Sequence, residues 1–425
     1  MSAFAKRSAA SRAVSVGSKT LALGAGVLLL ASCAGGPTAE TSEPAAAGDG
    51  TLFVGSILPE TGTLAFLGPP EFAGVDLAVQ DIQATDFPFE VTVQHEDSGD
   101  SSNTEIASQS ADLLIDAGAD VVIGAASSSV SLAFIDKLVE AGIVQISPAN
   151  TSPEFTDYPD EGYYWRTAPS DVLQGQVLGN LMLQEAPGSN IGMIVLNDSY
   201  GLGLAENAQA AIEAAGGTVV ANEQFNTGES NFAGIVSTVL EAEPDAIAMI
   251  TFEEWKSLLP ELVDVQGFPA DQVYWVDGNL SNDADQLDFS IAGSKGTLPG
   301  TPASEELQAR LLEIDPELTD FSYAPESYDA VIVAALAAAQ GGSDDSDVIK
   351  ENLQSVSAGG TVCTEFAECL DLINAGEDID YDGASGPIEF SEAGDPQKAV
   401  IGIYEYGEDN HYSLFDTIEG DLTAG

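Results

Sequence analysis

The sequence has 425 residues, of which 69 are acidic and 11 are basic, for a formal net charge of −58. A field of this sign repels nucleic acid and anionic lipid, so neither is expected as a partner of the folded chain. The charge is compatible with attraction of cationic solutes, and also with a heavily hydrated surface suited to salt or solubility. Residues 51–425 are too many for one ordinary core and predict two domains.

Residues 1–32 predict a targeting signal. Four basic residues accompany an apolar run, 21–32, that is too short to remain as a membrane-spanning helix. The run ends in Leu30-Ala31-Ser32-Cys33, which resembles the bacterial lipobox; the resemblance implies cleavage before Cys33 and lipidation of Cys33. The alternative is an ordinary secretory signal with an unrelated cysteine. Residues 33–50 contain no large apolar side chain and predict a flexible tether.

From residue 51 onward, strand and helix patterns alternate along the chain. The first set predicts strands 52–58, 91–95, 121–124 and 143–147, with helices 71–82, 105–117 and 130–141 between them. A second set predicts strands 190–196, 218–225, 246–250 and 273–276, with helices 204–215, 232–241 and 255–266. Helices 328–340 and 349–355 and strands 388–390 and 400–404 follow.

Repeated strand–helix units build parallel sheets that helices cover on both faces. We therefore predict an α/β fold with two doubly wound parallel-sheet lobes joined by a hinge. Residues 51–168 alone supply few helices for the sheet of the first lobe, so later helices are expected to return to it. The chain would then cross between the lobes several times. The predicted boundaries are 51–168 plus 298–389 for lobe 1, and 169–297 plus 390–425 for lobe 2.

Two cysteines remain in the folded part of the chain, Cys363 and Cys369. Cysteine pairs in exported proteins usually form disulfides, and closing so short a loop would contribute about 2 kcal/mol to stability. Metal ligation and a nucleophilic thiol lack support, because His95 and His411 lie far from both cysteines in sequence. We predict a structural disulfide, and we expect no metal and no cofactor.

Five segments occur in an order that is typical of one family. They are VGSILPETGTLAFLGPPEFAGVDLAVQDI, VVIGAASSSVSLAFIDKLVEAGIVQISPANTSPEF, GYYWRTAPSD, VLNDSYGLGLAENAQAAIEAAGG and YDGASGPIEF. Together they resemble the branched-chain amino acid-binding family of periplasmic and lipoprotein receptors that serve ABC transporters. The resemblance implies a periplasmic binding protein type I fold, a small-molecule ligand and a permease partner. It also implies a monomer at the outer face of the cell membrane, held there by its lipid anchor alone.

Ligands of parallel α/β sheets bind beyond the carboxyl ends of the strands, where loops enter helix N-termini. Two such loops, the ones that contain Ser128 and Thr151, are rich in hydroxyl groups. By resemblance to the family, Ser128 and Thr151 match positions that hold an amino acid's carboxylate, and Ala149 and Asn150 offer main-chain groups. The structural alternative for these residues is helix capping and turn formation.

Tyr200 matches a family tyrosine that closes over the ligand, Phe252 is a candidate apolar wall, and Asp277 matches an acid that pairs with the ammonium group. Core packing for the aromatic residues and a turn role for Asp277 are the alternatives. Phe66 and Leu67 lie where the family forms its side-chain pocket. Leucine-specific relatives have an aromatic residue near Leu67, so amides, urea and small aromatic acids stay open as ligands beside amino acids.

Three functions are considered, in descending order of the support that the sequence gives them. The first is a transport receptor that closes its hinge around an amino acid. The second is a sensor of the same fold that reports its ligand to a signalling partner. The third is a hydrolase, which the sequence disfavours because it contains no G-x-S-x-G motif and no histidine near a candidate nucleophile. We therefore expect a binding protein and not an enzyme.

Overall fold

The computed structural model describes residues 48–422. The predicted signal 1–32, the predicted lipidation site Cys33 and most of the predicted tether 33–50 lie outside the described residues. Within residues 48–422, none of the helices is long and apolar enough to cross a membrane.

Residues 48–422 form fifteen strands and eleven α-helices. The strands are β1 (Thr51–Leu58), β2 (Glu90–Asp97), β3 (Val121–Gly124), β4 (Val144–Ser147), β5 (Tyr164–Arg166), β6 (Asn190–Leu196), β7 (Thr218–Phe225), β8 (Ala246–Ile250), β9 (Val273–Trp275), β10 (Lys295–Pro299), β11 (Thr361–Cys363), β12 (Ile379–Gly383), β13 (Gly386–Pro387), β14 (Lys398–Tyr406) and β15 (Tyr412–Asp421). The helices are α1 (Gly68–Gln83), α2 (Glu105–Ala117), α3 (Ser128–Ala141), α4 (Asp171–Glu185), α5 (Ser199–Ala214), α6 (Ala233–Glu241), α7 (Trp255–Leu259), α8 (Glu305–Ile314), α9 (Ala324–Gly341), α10 (Ser346–Val356) and α11 (Phe366–Ala375).

Two large sheets organise these elements. The five-stranded sheet has the order β2-β1-β3-β4-β5, and all of its neighbouring strands are parallel. The seven-stranded sheet has the order β15-β14-β10-β9-β8-β6-β7, and its strands from β10 to β7 are parallel. β14 and β15 add an antiparallel hairpin to this sheet, since their short connection permits only that pairing. The predicted α/β class with two doubly wound units is confirmed.

Each large sheet has its own apolar core. The packing of β1 explains why the sequence of this strand is almost continuously apolar. Leu52 and Val54 pack with residues of α1 and α9 on one face of the five-stranded sheet. Ile57 packs with residues of α2 and α3 on the other face. A strand that helices cover on both faces needs apolar side chains on both, each contributing about 1.5–3 kcal/mol when fully buried.

The structure corrects two predicted elements. The helix expected over 255–266 is α-helical only to Leu259 and continues as a π-helical turn, Pro260–Val265, because proline lacks the N–H that an α-helix needs. The strand expected over 388–390 is wrong. Phe390 forms only an isolated bridge with Pro396, since the Ser391 N–H donates to the Asp395 carbonyl and turns the chain. The sequence patterns did not predict the strands β5, β10, β11, β12, β13 and β15 or the helices α4, α8 and α11.

Helices α8 and α9 pack on α1, beside the five-stranded sheet. Near them, Cys363 at the end of β11 and Cys369 in α11 form the predicted disulfide, with their Cα atoms 5.5 Å apart. Both cysteines are buried. The disulfide therefore joins a short strand to the helix that follows it.

A buried ion pair fixes the segment that leads into β14. Arg166, at the end of β5, donates from Nε to Oδ1 of Asp395 at 2.6 Å. Its Nη1 donates to the carbonyl oxygens of Asn150 at 3.2 Å and Ser152 at 2.8 Å. The guanidinium thus ties the connection between the two large sheets to the loop after β4.

Candidate ligand-binding site

Loops that follow strands of both large sheets meet around one small cavity. β3 leads to Ser127 and Ser128, β6 to Tyr200, β8 to Phe252 and β9 to Asp277. They converge because the carboxyl ends of parallel strands share one edge of a sheet. The cavity is lined by Leu64, Leu67, Ala126, Ser127, Ser128, Ala149, Tyr200, Phe252, Asp277, Gly278 and Tyr323.

Six of the nine residues predicted to contact a ligand line this cavity. They are Leu67, Ser128, Ala149, Tyr200, Phe252 and Asp277. The cavity measures about 10 Å³, which is room for about one water molecule. A solute therefore enters only when the walls move apart.

The other three predicted residues lie elsewhere. The Asn150 amide donates to the carbonyl oxygens of Ala125 and Ala126, both at 2.9 Å. Thr151 donates its hydroxyl to Oδ2 of Asp171 at 3.0 Å. Phe66 lines a separate cavity that also contains Asp283. Buried amide and hydroxyl groups need partners, and those of Asn150 and Thr151 find them within the protein.

Asp277 is the electrostatic centre of the cavity. Its Oδ1 accepts hydrogen bonds from the Tyr200 hydroxyl at 2.6 Å and from Gln174 Nε2 at 2.8 Å. Its Oδ2 accepts a hydrogen bond from the Tyr323 hydroxyl at 2.8 Å. Burial raises the pKa of Asp277, and the three donors act in the opposite direction. No cationic side chain of residues 48–422 forms an ion pair with this carboxylate.

A second buried carboxyl group lies next to Asp277. Asp171, the first residue of α4, is fully buried, and burial together with the charge of Asp277 raises its pKa well above the usual range. Its Oδ1 has no hydrogen-bond partner, and neither does Oε1 of Gln174. Two neighbouring carboxyl groups, together with the unsatisfied acceptors of Asp171 and Gln174, make this side of the cavity attractive to a donor or a cation.

The opposite side of the cavity offers hydroxyl groups and a helix N-terminus. Ser127 is the residue before α3, and its buried hydroxyl has no hydrogen-bond partner. Ser128 begins the helix, and its Oγ accepts a hydrogen bond from the Ser152 N–H at 3.3 Å. Free N–H groups and the helix dipole favour an anion at such a position.

Aromatic and aliphatic side chains form the rest of the wall. The rings of Tyr200 and Phe252 stack with their centroids 5.2 Å apart. Gly278 allows this packing, because a Cβ at that position would lie 2.7 Å from Cδ1 of Phe252. With Leu64 and Leu67 opposite, the cavity has an apolar part beside its two polar ends.

Hydrogen bonds connect the loops of the two large sheets next to the cavity. Ser129, in α3, and Ser199, in α5, are joined through their hydroxyl groups at 2.9 Å. Farther out, the Ser101 and Thr227 hydroxyl groups lie 2.7 Å apart. These contacts link segments that follow strands of the two large sheets.

The sequence analysis missed seven residues of the site, which are Leu64, Ala126, Ser127, Asp171, Gln174, Gly278 and Tyr323. Ser127 lies in the hydroxyl-rich loop that it identified, so strand-exit position was a usable signal. Tyr323 lies before α9, outside the strand exits, and it has a left-handed backbone with φ of 59°. Nothing in its local sequence points to Asp277.

Two α/β units with a closed cavity between the carboxyl ends of their strands define a two-lobed binding protein of the periplasmic binding protein type I fold. The chain belongs to the periplasmic binding protein family, whose model matches residues 51–398. It is a solute-binding protein and not an enzyme, and proteins of this class work outside the cytoplasm.

The relatives confirm the predicted resemblance to the branched-chain amino acid-binding family. Leu/Ile/Val-binding protein homolog 1 of Brucella abortus is 25% identical over 374 residues, covering 85% of this chain and 92% of the relative. The branched-chain amino acid transporter protein LivJ of Streptococcus pneumoniae, solved with isoleucine, has a TM-score of 0.71 at 19% identity, with coverages of 87% and 99%. A solute-binding protein of an R. palustris ABC transporter, solved with benzoate, has a TM-score of 0.69 at 19% identity, with coverages of 87% and 96%.

Proposed function

We propose that this chain is the lipid-anchored receptor of an ABC importer and that it captures an amino acid between its lobes. The proposed lobes are 51–168 plus 298–389 and 169–297 plus 390–425, and Cys33 is the proposed anchor at the outer face of the membrane. The ligand bridges the lobes and stabilises the closed form, which the permease then binds.

The single observation that carries the choice of ligand is the buried Asp277 carboxylate, which forms no ion pair with a lysine, arginine or histidine of residues 48–422. A carboxylate in a closing cleft loses its hydration, and an ammonium group compensates for that loss better than any neutral donor. An α-ammonium group can supply this charge. Urea and amides carry no charge, and an aromatic acid such as benzoate would bring a second anion towards Asp277 and Asp171.

The other end of the cavity suits the carboxylate of the same ligand. The Ser127 and Ser128 hydroxyl groups and the first turn of α3 offer donors for it, about 1.5–3 kcal/mol for each charge-assisted bond. Leu64, Leu67 and Phe252 leave an apolar region for the side chain. An amino acid has these three features in one small molecule.

The proposal is tested by thermal denaturation of the purified protein with a panel of single solutes. The panel contains the aliphatic amino acids, their deaminated and decarboxylated analogues, benzoate and urea. A ligand at one hundred times its Kd stabilises by about 2.7 kcal/mol. We expect a raised Tm with one or more amino acids and little change with either analogue. Stabilisation by benzoate or urea, with none by any amino acid, would contradict the proposal.

A further inference from the structure

A second and larger cavity lies where β10, β14 and β15 approach the segment before α9. It measures about 420 Å³, which falls within the range of small-molecule sites. Its lining includes Gly300, Asp320, Phe321, Glu326, Tyr404 and Tyr412. Of the residues lining the amino-acid cavity, it shares Tyr323 alone.

Glu326 is the unusual member of this lining. It is 2% exposed, and no other residue of the part of the chain described donates a hydrogen bond to its carboxylate. Its Oε1 lies against the backbone of Gly300, where a Cβ would approach it to 1.8 Å. Buried carboxyl groups are normally hydrogen-bonded to other residues or paired with a cation, so the cavity presents an acid whose hydrogen bond comes only from its own backbone N–H.

A second buried carboxyl group lies near Glu326. Glu71, in α1, is fully buried, both of its carboxyl oxygens lack hydrogen-bond partners within residues 48–422, and burial together with the charge of Glu326 raises its pKa well above the usual range. Neither carboxyl group forms an ion pair with a lysine, arginine or histidine of residues 48–422. A positive group that entered the cavity would therefore meet a carboxyl group that has no counter-ion among these residues, and it would favour the ionised form of that group.

Three aromatic rings form what we call the aromatic wall of this cavity, Phe321, Tyr404 and Tyr412. Tyr404 and Tyr412 meet edge to face with their centroids 5.3 Å apart. The Tyr412 hydroxyl donates to Oδ2 of Asp320 at 2.5 Å, which holds the ring in place. Aromatic rings attract cations that lie over their faces, and this attraction is the basis on which proteins bind quaternary ammonium groups.

We propose that this cavity binds a small organic monocation of the alkylammonium or quaternary ammonium class. The Glu326 carboxylate lies opposite the positive charge, and the aromatic wall surrounds the alkyl groups. A metal ion fits less well, because residues 48–422 contain no cluster of three or more histidine, cysteine or acidic side chains that could hold one. The site has only Tyr323 in common with the amino-acid cavity, so choline should bind whether or not an amino acid is bound.

Calorimetric titration of the folded protein with choline tests this site. The matched neutral probe is 3,3-dimethyl-1-butanol, which has the same shape without the charge. Mildly alkaline buffer is used, because burial raises the pKa of Glu326. We expect saturable choline binding, at least tenfold weaker binding of the alcohol, and at least tenfold weaker choline binding by Glu326→Gln.

Two further variants complete the test. Ser128 lines the amino-acid cavity and not this one, so Ser128→Ala should leave choline affinity unchanged. Tyr412→Leu, at a partly exposed position, should weaken choline binding at least threefold, and it replaces Glu326→Gln if that variant fails to fold. No saturable choline binding by the natural protein, equal binding by the neutral alcohol, equal binding by the Glu326 or Tyr412 variant, or loss of binding in Ser128→Ala would overturn the proposal.

Discussion

Tyr323 donates its hydroxyl group to Oδ2 of Asp277 at 2.8 Å, although 46 positions separate the two residues in the chain. Tyr323 precedes α9, which packs beside the five-stranded sheet, whereas Asp277 follows β9 of the seven-stranded sheet. This bond therefore connects the two halves of the molecule through the group proposed to bind the ligand.

Replacement of Tyr323 by phenylalanine removes this donor and little else. We expect Tyr323→Phe to weaken amino-acid binding by about 1–3 kcal/mol, because a buried carboxylate loses one of its three hydrogen bonds. Calorimetry measures the change. Tyr274→Phe, in β9 and outside the cavity lining, is the matched control and should bind normally. Equal affinities of the two variants would show that the Tyr323 hydroxyl group does not contribute to amino-acid binding.

Asp277 itself has the largest predicted effect on binding. Asp277→Ala should weaken amino-acid affinity by about 2–5 kcal/mol, since the ligand's ammonium group loses its counter-charge. The exposed acid Glu317 provides a control, and Glu317→Gln should leave the affinity within twofold. Unchanged calorimetric affinity in Asp277→Ala would remove the proposed ammonium site while leaving the fold intact.

Ser128 tests the opposite end of the cavity. We expect Ser128→Ala to cost about 1–3 kcal/mol in amino-acid affinity, because a buried carboxylate loses a donor. A decarboxylated analogue should bind the natural protein and Ser128→Ala equally, and this comparison isolates the carboxylate. Ser355→Ala, at an exposed position, controls for a general effect of removing a serine. An equal loss for both ligands would assign Ser128 to helix capping.

Asp120 predicts a pH dependence of stability that is independent of the ligand. It lies in the turn before β3, its Oδ2 accepts the Phe53 N–H at 2.7 Å, and burial, with nearby acids including Asp344, raises its pKa to about 7. A raised carboxyl pKa means that ionisation destabilises the folded state. This penalty is absent below about pH 4, grows as the pH rises and is complete above about pH 7.

Asp120→Asn removes that penalty and keeps an acceptor for the Phe53 N–H. We expect it to stabilise the protein by about 1–2 kcal/mol above pH 7, an amount limited by solvent screening of this partly exposed group, and to have no effect near pH 4. Thermal melts across this pH range measure the difference. Asp116→Asn, at an exposed position in α2, should show no such dependence. A gain in stability that does not depend on pH would contradict the raised pKa of Asp120.

We expect removal of the disulfide to lower the stability of the protein modestly. The double substitution Cys363→Ala and Cys369→Ala should cost about 2 kcal/mol, because the closed loop is short and restricts the unfolded chain only slightly. Denaturant unfolding measures this loss, and the amino-acid affinity should not change. Loss of binding with intact folding would show that the region around α11 affects the cleft.

The amino-acid sequence was enough to predict the alternation of strands and helices, the disulfide and the strand exits at which a site could form. These features are local or periodic: a strand covered on both faces must be apolar throughout, as in β1, and parallel strands must present their carboxyl ends together. Ser128, Tyr200 and Asp277 lie at such strand exits, and the resemblance to the family selected them among the residues there.

Which polar groups face the cavity depends on how distant elements pack together, and this could not be predicted from the sequence. Asn150 and Thr151 stand in the same kind of loop as Ser128, yet their side chains bond to Ala125, Ala126 and Asp171. Tyr323 reaches Asp277 through packing between distant segments. Local pattern does not encode such contacts, because the partner of a buried donor is set by the arrangement of whole elements and not by neighbouring residues.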